Sequence, residues 1–299
     1  MCFLLLSGWI ISAGRYSIPA FQAVILGSVG LRLFSLRWQW ASPTRHFRPS
    51  PPAPDSLRQQ AGVVWKAKSF LLFVAFGAVW SFATNVFGPF YTVFMFDHVG
   101  FSAWDVGVVT GLAQVGGALS LPAWGRLLDR YGNKSVMVVS LILWQLSTIF
   151  WCFATDENRA LLYAVWAWGG STSAGFVLGQ FTIGLRLIPP DAKGFAIGLN
   201  LAISSLVAAI APVLGGACLS SDFFRGWDPV AAYHLCFVVQ PVVTLAGAVL
   251  LLRVDEPAAS PLSTVVGAMR NVRTLSAVLG LSFFVNYLFV KDPRRRSRP

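Results

Sequence analysis

The sequence contains few charged residues: Asp, Glu, Lys and Arg together make up 12% of its 299 positions. An average soluble domain carries about 25%, so this chain has too little charge to cover the surface of a soluble protein. Apolar residues reach 56%, and the mean hydropathy is +0.64. The composition therefore excludes an ordinary soluble domain and predicts an integral membrane protein.

Residues that build catalytic and metal sites are also scarce, with three histidines and four cysteines in the whole chain. The histidines have no metal-ligand spacing, and no two cysteines form a Cys-x-x-Cys pair. The phosphate-binding loop and the His-Glu-x-x-His motif are both missing from the sequence. We therefore expect no metal site, no cofactor and no enzymatic activity.

Long apolar stretches account for most of the chain. Six of them are free of charge and long enough to cross a bilayer, which takes about 20 residues; they are 70–94, 106–124, 135–154, 161–185, 195–219 and 235–252. A seventh stretch, 18–36, holds Arg32 near its end, and two shorter apolar pieces lie at 2–13 and 274–290. We predict an all-α membrane protein, in which a six-helix transmembrane bundle over 70–252 follows one or two apolar segments.

The basic residues are concentrated in alternate loops. The segments 32–68, 126–134, 186–193 and 253–299 hold 20 of the 23 Lys and Arg residues. Because cytoplasmic loops carry an excess of Lys and Arg, these segments are predicted to lie in the cytoplasm. We expect a multi-pass protein of the plasma (inner) membrane whose linker, 125–134 loop and C-terminus are cytoplasmic.

Two polar segments flank the predicted bundle. Residues 41–69 are rich in proline and predict an extended cytoplasmic linker. Residues 253–299 form a basic tail, in which we favour an interfacial helix at 274–290 over an additional or truncated span. The arginine run that ends the tail could indicate nucleic-acid binding, but beside a membrane we expect it to contact anionic lipid and expect no nucleic-acid partner.

One short run in the block carries a recognisable motif: residues 124–134 read WGRLLDRYGNK. The run resembles the G-x-L-a-D-r-x-G-r-k signature of the major facilitator superfamily, a family of secondary transporters. The matching residues are Gly125, Leu127, Asp129, Arg130, Gly132 and Lys134. Leu128 and Asn133 depart from the pattern, which usually has a small residue and a basic residue at these positions.

This resemblance implies that the motif is a cytoplasmic loop that latches one state of an alternating-access cycle. Gly132 permits a tight turn, Gly125 allows close helix packing, and Asp129 can lie against a helix N-terminus, where the dipole favours a carboxylate. Arg130 and Lys134 can neutralise that carboxylate and face anionic lipid. The simpler alternative is that the basic residues only anchor the protein on its cytoplasmic side.

A second, weaker motif lies in the fifth stretch of the block, where residues 208–216 read AAIAPVLGG. It resembles the G-P-x-x-G-G motif of exporters in the same family, with Pro212, Gly215 and Gly216 matching and Ala211 replacing the first glycine. Pro212 can kink the helix, and the small residues allow close helix contacts. Generic helix packing explains these residues as well, so the motif does not establish export.

The order of the segments predicts which part of such a transporter this is. Complete members of the family have twelve helices in two six-helix halves joined by a long cytoplasmic loop. Here a full apolar stretch, 18–36, and a Pro-rich linker precede the block, so we identify residues 1–40 as a remnant of the N-terminal half and 70–252 as the C-terminal half. The opposite assignment, in which 70–252 is the N-terminal half, leaves 18–36 without a role. We expect 2–13 to be the end of a longer helix.

This assignment has a functional consequence, because the family's substrate site lies between the two halves. We expect that the chain alone does not transport and that its partners are membrane lipid, a small-molecule solute and the missing N-terminal six-helix half. The alternative is a non-transporting membrane scaffold, or a half-transporter that assembles with a partner chain.

Polar and aromatic residues at membrane depth are candidates for lining a solute cavity. They recur at helical spacing and prefer the bundle interior or a wet cavity. The candidates are Trp80, Thr84, Asn85, Gln114, Trp166, Ser173, Gln180, Asn200 and Ser204. Serine and threonine can instead bond to their own helix, and the aromatic residues can face lipid. The absence of charge from these stretches favours a neutral or amphiphilic solute.

Overall fold

The computed structural model describes residues 2–41, 56–256 and 260–278, and within these ranges it contains eleven α-helices and no β-strand. They are α1 (Cys2–Ala13), α2 (Ile18–Ala41), α3 (Leu57–Lys66), α4 (Lys68–Asp97), α5 (Ala103–Tyr131), α6 (Asn133–Ile149), α7 (Ala160–Leu187), α8 (Lys193–Leu219), α9 (Pro229–Leu252), α10 (Leu262–Met269) and α11 (Val272–Val278). A 3-10 turn, Phe150–Phe153, continues α6. The predicted all-α fold is confirmed.

Helices α4 to α9 form the bundle. Helix α4 packs against α8 and α9, α7 packs against α5 and α6, and α6 also contacts α9. Phe76, Leu141, Phe176 and Leu251, from four different helices, are fully buried in one cluster. Each helix begins before the charge-free stretch that predicted it, and α4, α5 and α7 also end after theirs, because polar residues continue these helices outside the apolar region.

Six of the described helices are long and apolar enough to cross a membrane: α2, α4, α5, α6 with its 3-10 turn, α8 and α9. Helix α7 has 28 residues but does not reach the same hydropathy, because its centre reads GGSTSAG. Within α7 the hydroxyls of Ser171 and Thr172 donate to the carbonyls of Ala167 and Trp168, both at 2.9 Å. These bonds satisfy the polar groups, so α7 fits the predicted span at 161–185.

Small residues bring neighbouring helices into backbone contact. A Cβ atom at Gly170 of α7 would overlap the carbonyl oxygen of Ala113 in α5. In α8, a Cβ atom at Gly215 would overlap the carbonyl oxygen of Val86 in α4, whereas Gly216 is in ordinary contact with a phenylalanine ring. The α5–α7 and α4–α8 pairs therefore tolerate only glycine at these two positions.

The helices before the bundle contact it unequally. Helix α1 packs along the beginning of α5, where Tyr16 Oη accepts from the backbone N–H of Ala103 at 3.0 Å and Ser12 Oγ accepts from that of Trp104 at 3.2 Å. Helix α2 is buried over only 6% of its apolar window. The segment before the bundle is thus attached mainly through α1.

The structure corrects the prediction for one flanking segment and adds to the other. The linker prediction, 41–69, lies partly outside the described residues, but 57–66 is the helix α3, which Ser56 caps by accepting from Gln59 N at 3.2 Å. The tail is not free after the bundle, because α10 and α11 bury Val265, Met269 and Val278 against the end of α5 and the start of α6. Of the interfacial helix predicted at 274–290, only 274–278 lies within the described residues, as the end of α11.

Candidate functional site: the joint between α5 and α6 and the cavities of the bundle

The motif at 124–134 is almost entirely helical. Helix α5 continues to Tyr131, α6 begins at Asn133, and only Gly132 separates them, with a φ of 87° that favours glycine. The prediction of a loop over 125–134 is wrong, because the run before Gly132 contains no helix breaker and Leu127 and Leu128 are buried in the core. We call this junction the α5–α6 joint.

The acid that contacts the start of α6 is not the predicted one. Asp129 is exposed and makes no hydrogen bond or ion pair within the described part of the chain. Glu256, just after α9, instead accepts from Asn133 N at 3.0 Å, Asn133 Nδ2 at 2.7 Å and Lys134 N at 2.7 Å. A carboxylate there satisfies N–H groups that have no partner within the helix and lies at the positive end of the helix dipole. The packing role predicted for Gly125 is also wrong, because a Cβ atom there would have no neighbour within 4 Å.

Glu256 joins the joint to the ends of two other helices. Its Oε1 lies 3.6 Å from Arg186 Nη1, near the end of α7. Lys134 Nζ donates to the carbonyl of Val254 at 2.9 Å, just after α9, and Ser135 Oγ donates to that of Ser260 at 2.5 Å. These bonds tie α5, α6, α7 and α9 together at one end of the bundle, and we call Asn133, Lys134, Arg186 and Glu256 the Glu256 cluster.

A cavity of about 340 Å³ lies among α4, α6, α7 and α9, and we call it the aromatic cavity. It is lined by Trp80, Thr84, Gly88, Tyr91, Thr92, Ala113, Trp144, Ser147, Thr148, Trp151, Val165, Trp166, Gly169, Gly170, Ser173 and Gln240. Five of these described residues are aromatic and none is charged. Four of the predicted cavity residues, Trp80, Thr84, Trp166 and Ser173, are brought together here.

The other predicted residues are divided among different places. Gln114 lines a cleft of about 640 Å³ between α5 and α7, which shares Trp166 and Ser173 with the aromatic cavity. Gln180 and Asn200 meet in a separate cavity of about 490 Å³ among α4, α7 and α8. The predicted polar face is therefore two separate regions rather than one.

Asn85 and Ser204 line none of these three cavities. Asn85 Nδ2 donates to the carbonyl of Ser81 at 2.8 Å, one turn back in its own helix. Ser81 Oγ donates to the carbonyl of Ser204 at 3.3 Å, across the α4–α8 contact. Ser204 thus lies at a helix–helix contact, whereas Asn85 bonds within its own helix.

Several lining residues were not predicted, notably Trp144 and Trp151 at the end of α6 and Gln240 in α9. The Tyr91 hydroxyl donates to Gln240 Oε1 across the α4–α9 contact. Polar and aromatic residues do recur three or four positions apart in both helices: Ser140, Trp144, Ser147 and Trp151 in α6 and its 3-10 turn, and Gln240 and Thr244 in α9. This spacing indicates a shared helix face, but it does not show that the face lines a cavity.

The sequence profile of the Major Facilitator Superfamily matches residues 77–291. The chain is 30% identical over 157 residues to the vesicular acetylcholine transporter of Torpedo marmorata, covering 52% of this chain and 29% of that protein. It is 26% identical over 216 residues to the probable multidrug resistance protein EmrY of Escherichia coli (strain K12), covering 71% and 38%.

A third relative, the probable anion transporter 3, chloroplastic, of Arabidopsis thaliana, is 29% identical over 130 residues, which cover 44% of this chain and 25% of that protein. The matches thus span a quarter to two fifths of these three relatives. No solved structure has significant similarity to the chain.

Proposed function

The chain belongs to the major facilitator superfamily of membrane transporters, and on this basis we propose that it forms the C-terminal six-helix half of a secondary transporter. The family match covers α4 to α9 almost completely. In such transporters a solute site near the bilayer midplane lies between two bundles that rock against each other. The observation that carries the proposal is the uncharged aromatic cavity among α4, α6, α7 and α9 of a bundle that matches this family, which would form this bundle's part of such a site.

The exposed surface of α8 supports the proposal that a second bundle packs against this one. Its apolar window is only 6% buried, against 44% for α4 and α9. Small exposed residues recur three or four positions apart along one face of α8: Gly194, Gly198, Ala202, Ser205 and Ala209. Because small residues mark close helix–helix contacts in membranes, we propose that this face meets a second six-helix bundle.

The orientation follows from the basic residues. The end of the bundle that carries the Glu256 cluster also carries most of the Lys and Arg residues that the structure describes. By the positive-inside rule, we assign this end to the cytoplasm. The α5–α6 joint would then be cytoplasmic and the start of α5 would face the opposite side.

The motif is proposed to act in two separate ways. The Glu256 cluster holds the ends of α6, α7 and α9 together, so that the bundle rocks as one body. Asp129 and Arg130 are exposed and lie outside that cluster, so they are the motif residues available to latch a second bundle. A non-transporting scaffold is the weaker alternative, because it gives the aromatic cavity no role.

Solute flux into vesicles tests this proposal. The chain would be reconstituted alone and together with the N-terminal six-helix half of a family relative, and uptake of a panel of fluorescent, uncharged aromatic solutes would be compared. We expect flux only when both bundles are present. Flux by this chain alone would contradict the half-transporter assignment, and no flux in either preparation would contradict the transport function.

A further inference from the structure

The tryptophans that line the aromatic cavity differ from their neighbours in hydrogen bonding. Outside the cavity, Trp124 Nε1 donates to the carbonyl of Ser171 at 2.8 Å and Trp168 Nε1 donates to that of Leu143 at 3.2 Å. Within the cavity, Trp80 Nε1 and Trp166 Nε1 are buried and have no acceptor in the described part of the chain. A buried N–H without an acceptor costs about 1–3 kcal/mol.

The indole nitrogens of the other two lining tryptophans also lack an acceptor within the described ranges, but they are not among the buried unpaired atoms. Neither Trp144 nor Trp151 donates to an acceptor among the residues that the structure describes. Both stand beside an unpaired indole: the Trp80 and Trp144 rings are 6.5 Å apart, and the Trp151 and Trp166 rings are 6.2 Å apart. The cavity is therefore lined by four tryptophans whose indole N–H groups have no acceptor in the described part of the chain, and two of these groups, those of Trp80 and Trp166, are buried.

The hydroxyl groups of the lining do not supply the missing acceptors. Thr84, Ser147, Thr148 and Ser173 each donate to a carbonyl of their own helix, at 2.5–3.1 Å. Their oxygens keep lone pairs, but none of these is within hydrogen-bond distance of an indole nitrogen. Gln240 adds one more donor, since its Oε1 accepts from Tyr91 while its Nε2 has no partner in the described chain.

The charge of the lining limits what can satisfy these donors. No acidic or basic side chain is among the described residues that line the cavity. A protonated amine could contact the tryptophan faces, but it would find no counter-ion and would bring further N–H donors. An anionic solute would lose its hydration without gaining a positive partner. Aromatic faces, in turn, favour a flat ring system.

We infer that the aromatic cavity takes an uncharged, ring-containing solute that is rich in hydrogen-bond acceptors, such as an aromatic ketone or a quinone, and that the indole N–H groups of its tryptophans recognise the solute's oxygens. This inference rests on the proposed function, because it treats the cavity as the solute site. A volume of about 340 Å³ lies in the range of small-molecule sites. The nitrogens of Trp80 and Trp166 are enclosed in this conformation, so their part in recognition requires a side-chain rotation.

Three probes with the same three-ring outline separate the possibilities. Anthraquinone has two carbonyl acceptors, anthracene has none, and protonated 9-aminoacridine is a cation with N–H donors. Binding to the purified full chain in detergent would be measured by isothermal titration calorimetry. We expect anthraquinone to bind at least ten-fold more tightly than either of the other two probes.

Conservative variants then test the role of the indole N–H. Trp166→Phe and Trp144→Phe keep a ring but remove the donor, and each is expected to weaken anthraquinone binding about three- to ten-fold, the range for one hydrogen bond, without changing anthracene binding. Trp168→Phe is the matched control, since its N–H already has a protein acceptor, and should change neither. Circular dichroism and gel filtration confirm that each variant is folded.

The outcomes distinguish this inference from the proposed function. Equal binding of anthraquinone and anthracene, tightest binding of the cation, or no binding of any probe would overturn the inference. None of these results bears on whether two bundles together support flux. Conversely, carbonyl-selective binding with no flux would uphold the inference and contradict transport.

Discussion

The carboxylate of Glu256 accepts the backbone N–H of Lys134 at 2.7 Å, although the two residues are 122 positions apart. This bond caps the first turn of α6 with an acid from beyond the end of α9. It gives the α5–α6 joint a fixed position on the bundle, which the motif's own Asp129 does not do. The contact leads to a prediction about stability that separates the two acids.

Replacing Glu256 with alanine should lower the free energy of unfolding by about 1–2 kcal/mol, the usual cost of losing a helix cap. The variant leaves the N–H groups of Asn133 and Lys134 without their acceptor. Asp129→Ala is the matched control and should have almost no effect, because Asp129 is exposed. Unfolding midpoints in detergent measure both, and equal losses would contradict the assignment.

Glycine is required where α7 meets α5. Gly170→Ala should destabilise the bundle by several kcal/mol or prevent its folding, because the new methyl group overlaps the Ala113 carbonyl oxygen. Gly125→Ala, also within a helix but with no neighbour within 4 Å, should be neutral or stabilise by up to about 1 kcal/mol. Thermal unfolding of the two variants in parallel tests this, and a stable Gly170→Ala protein would show that the close contact is wrong.

The tail helices are expected to be part of the folded bundle. Val265 is fully buried, whereas the adjacent Val266 is 48% exposed. Val265→Ser should therefore cost about 1–3 kcal/mol through the loss of apolar burial, while Val266→Ser should cost much less. Limited proteolysis between α9 and α10 provides the readout: cleavage should accelerate only in the first variant, and similar rates in both would indicate that the tail does not pack.

The exposed acid of the motif should affect transport without affecting stability. In a protein that contains both bundles, Asp129→Asn is expected to lower solute flux several-fold while its amount in the membrane and its unfolding midpoint stay unchanged. A latch contact between Asp129 and the second bundle would explain lower flux at unchanged stability. Within the described part of this bundle, Asp129 makes no hydrogen bond or ion pair. Flux at the parental rate would remove the proposed latch.

Much of the fold could be predicted from the sequence, because a helix that crosses a bilayer needs about 20 apolar residues. Stretches without charge, such as 106–124, located the helices, and the helix periodicity placed Trp80 beside the face that carries Thr84. The Glu256 cluster could not be predicted, because nothing around residue 256 shows which helix end it approaches. The same holds for Trp151 and Gln240, which reach the aromatic cavity only through the packing of α6 and α9 against α4.

The central claim is that the aromatic cavity is the solute site of a membrane transporter, and filling it tests that claim most directly. Thr84→Trp places a large side chain in the lining, whereas Phe82→Trp, two residues away on α4, enlarges a side chain that is 38% exposed and lines none of the three cavities. Flux into vesicles that contain both bundles would be compared for the two variants. We predict a loss of more than ten-fold for Thr84→Trp and near-parental flux for Phe82→Trp. Parental flux through the Thr84→Trp protein would contradict the account.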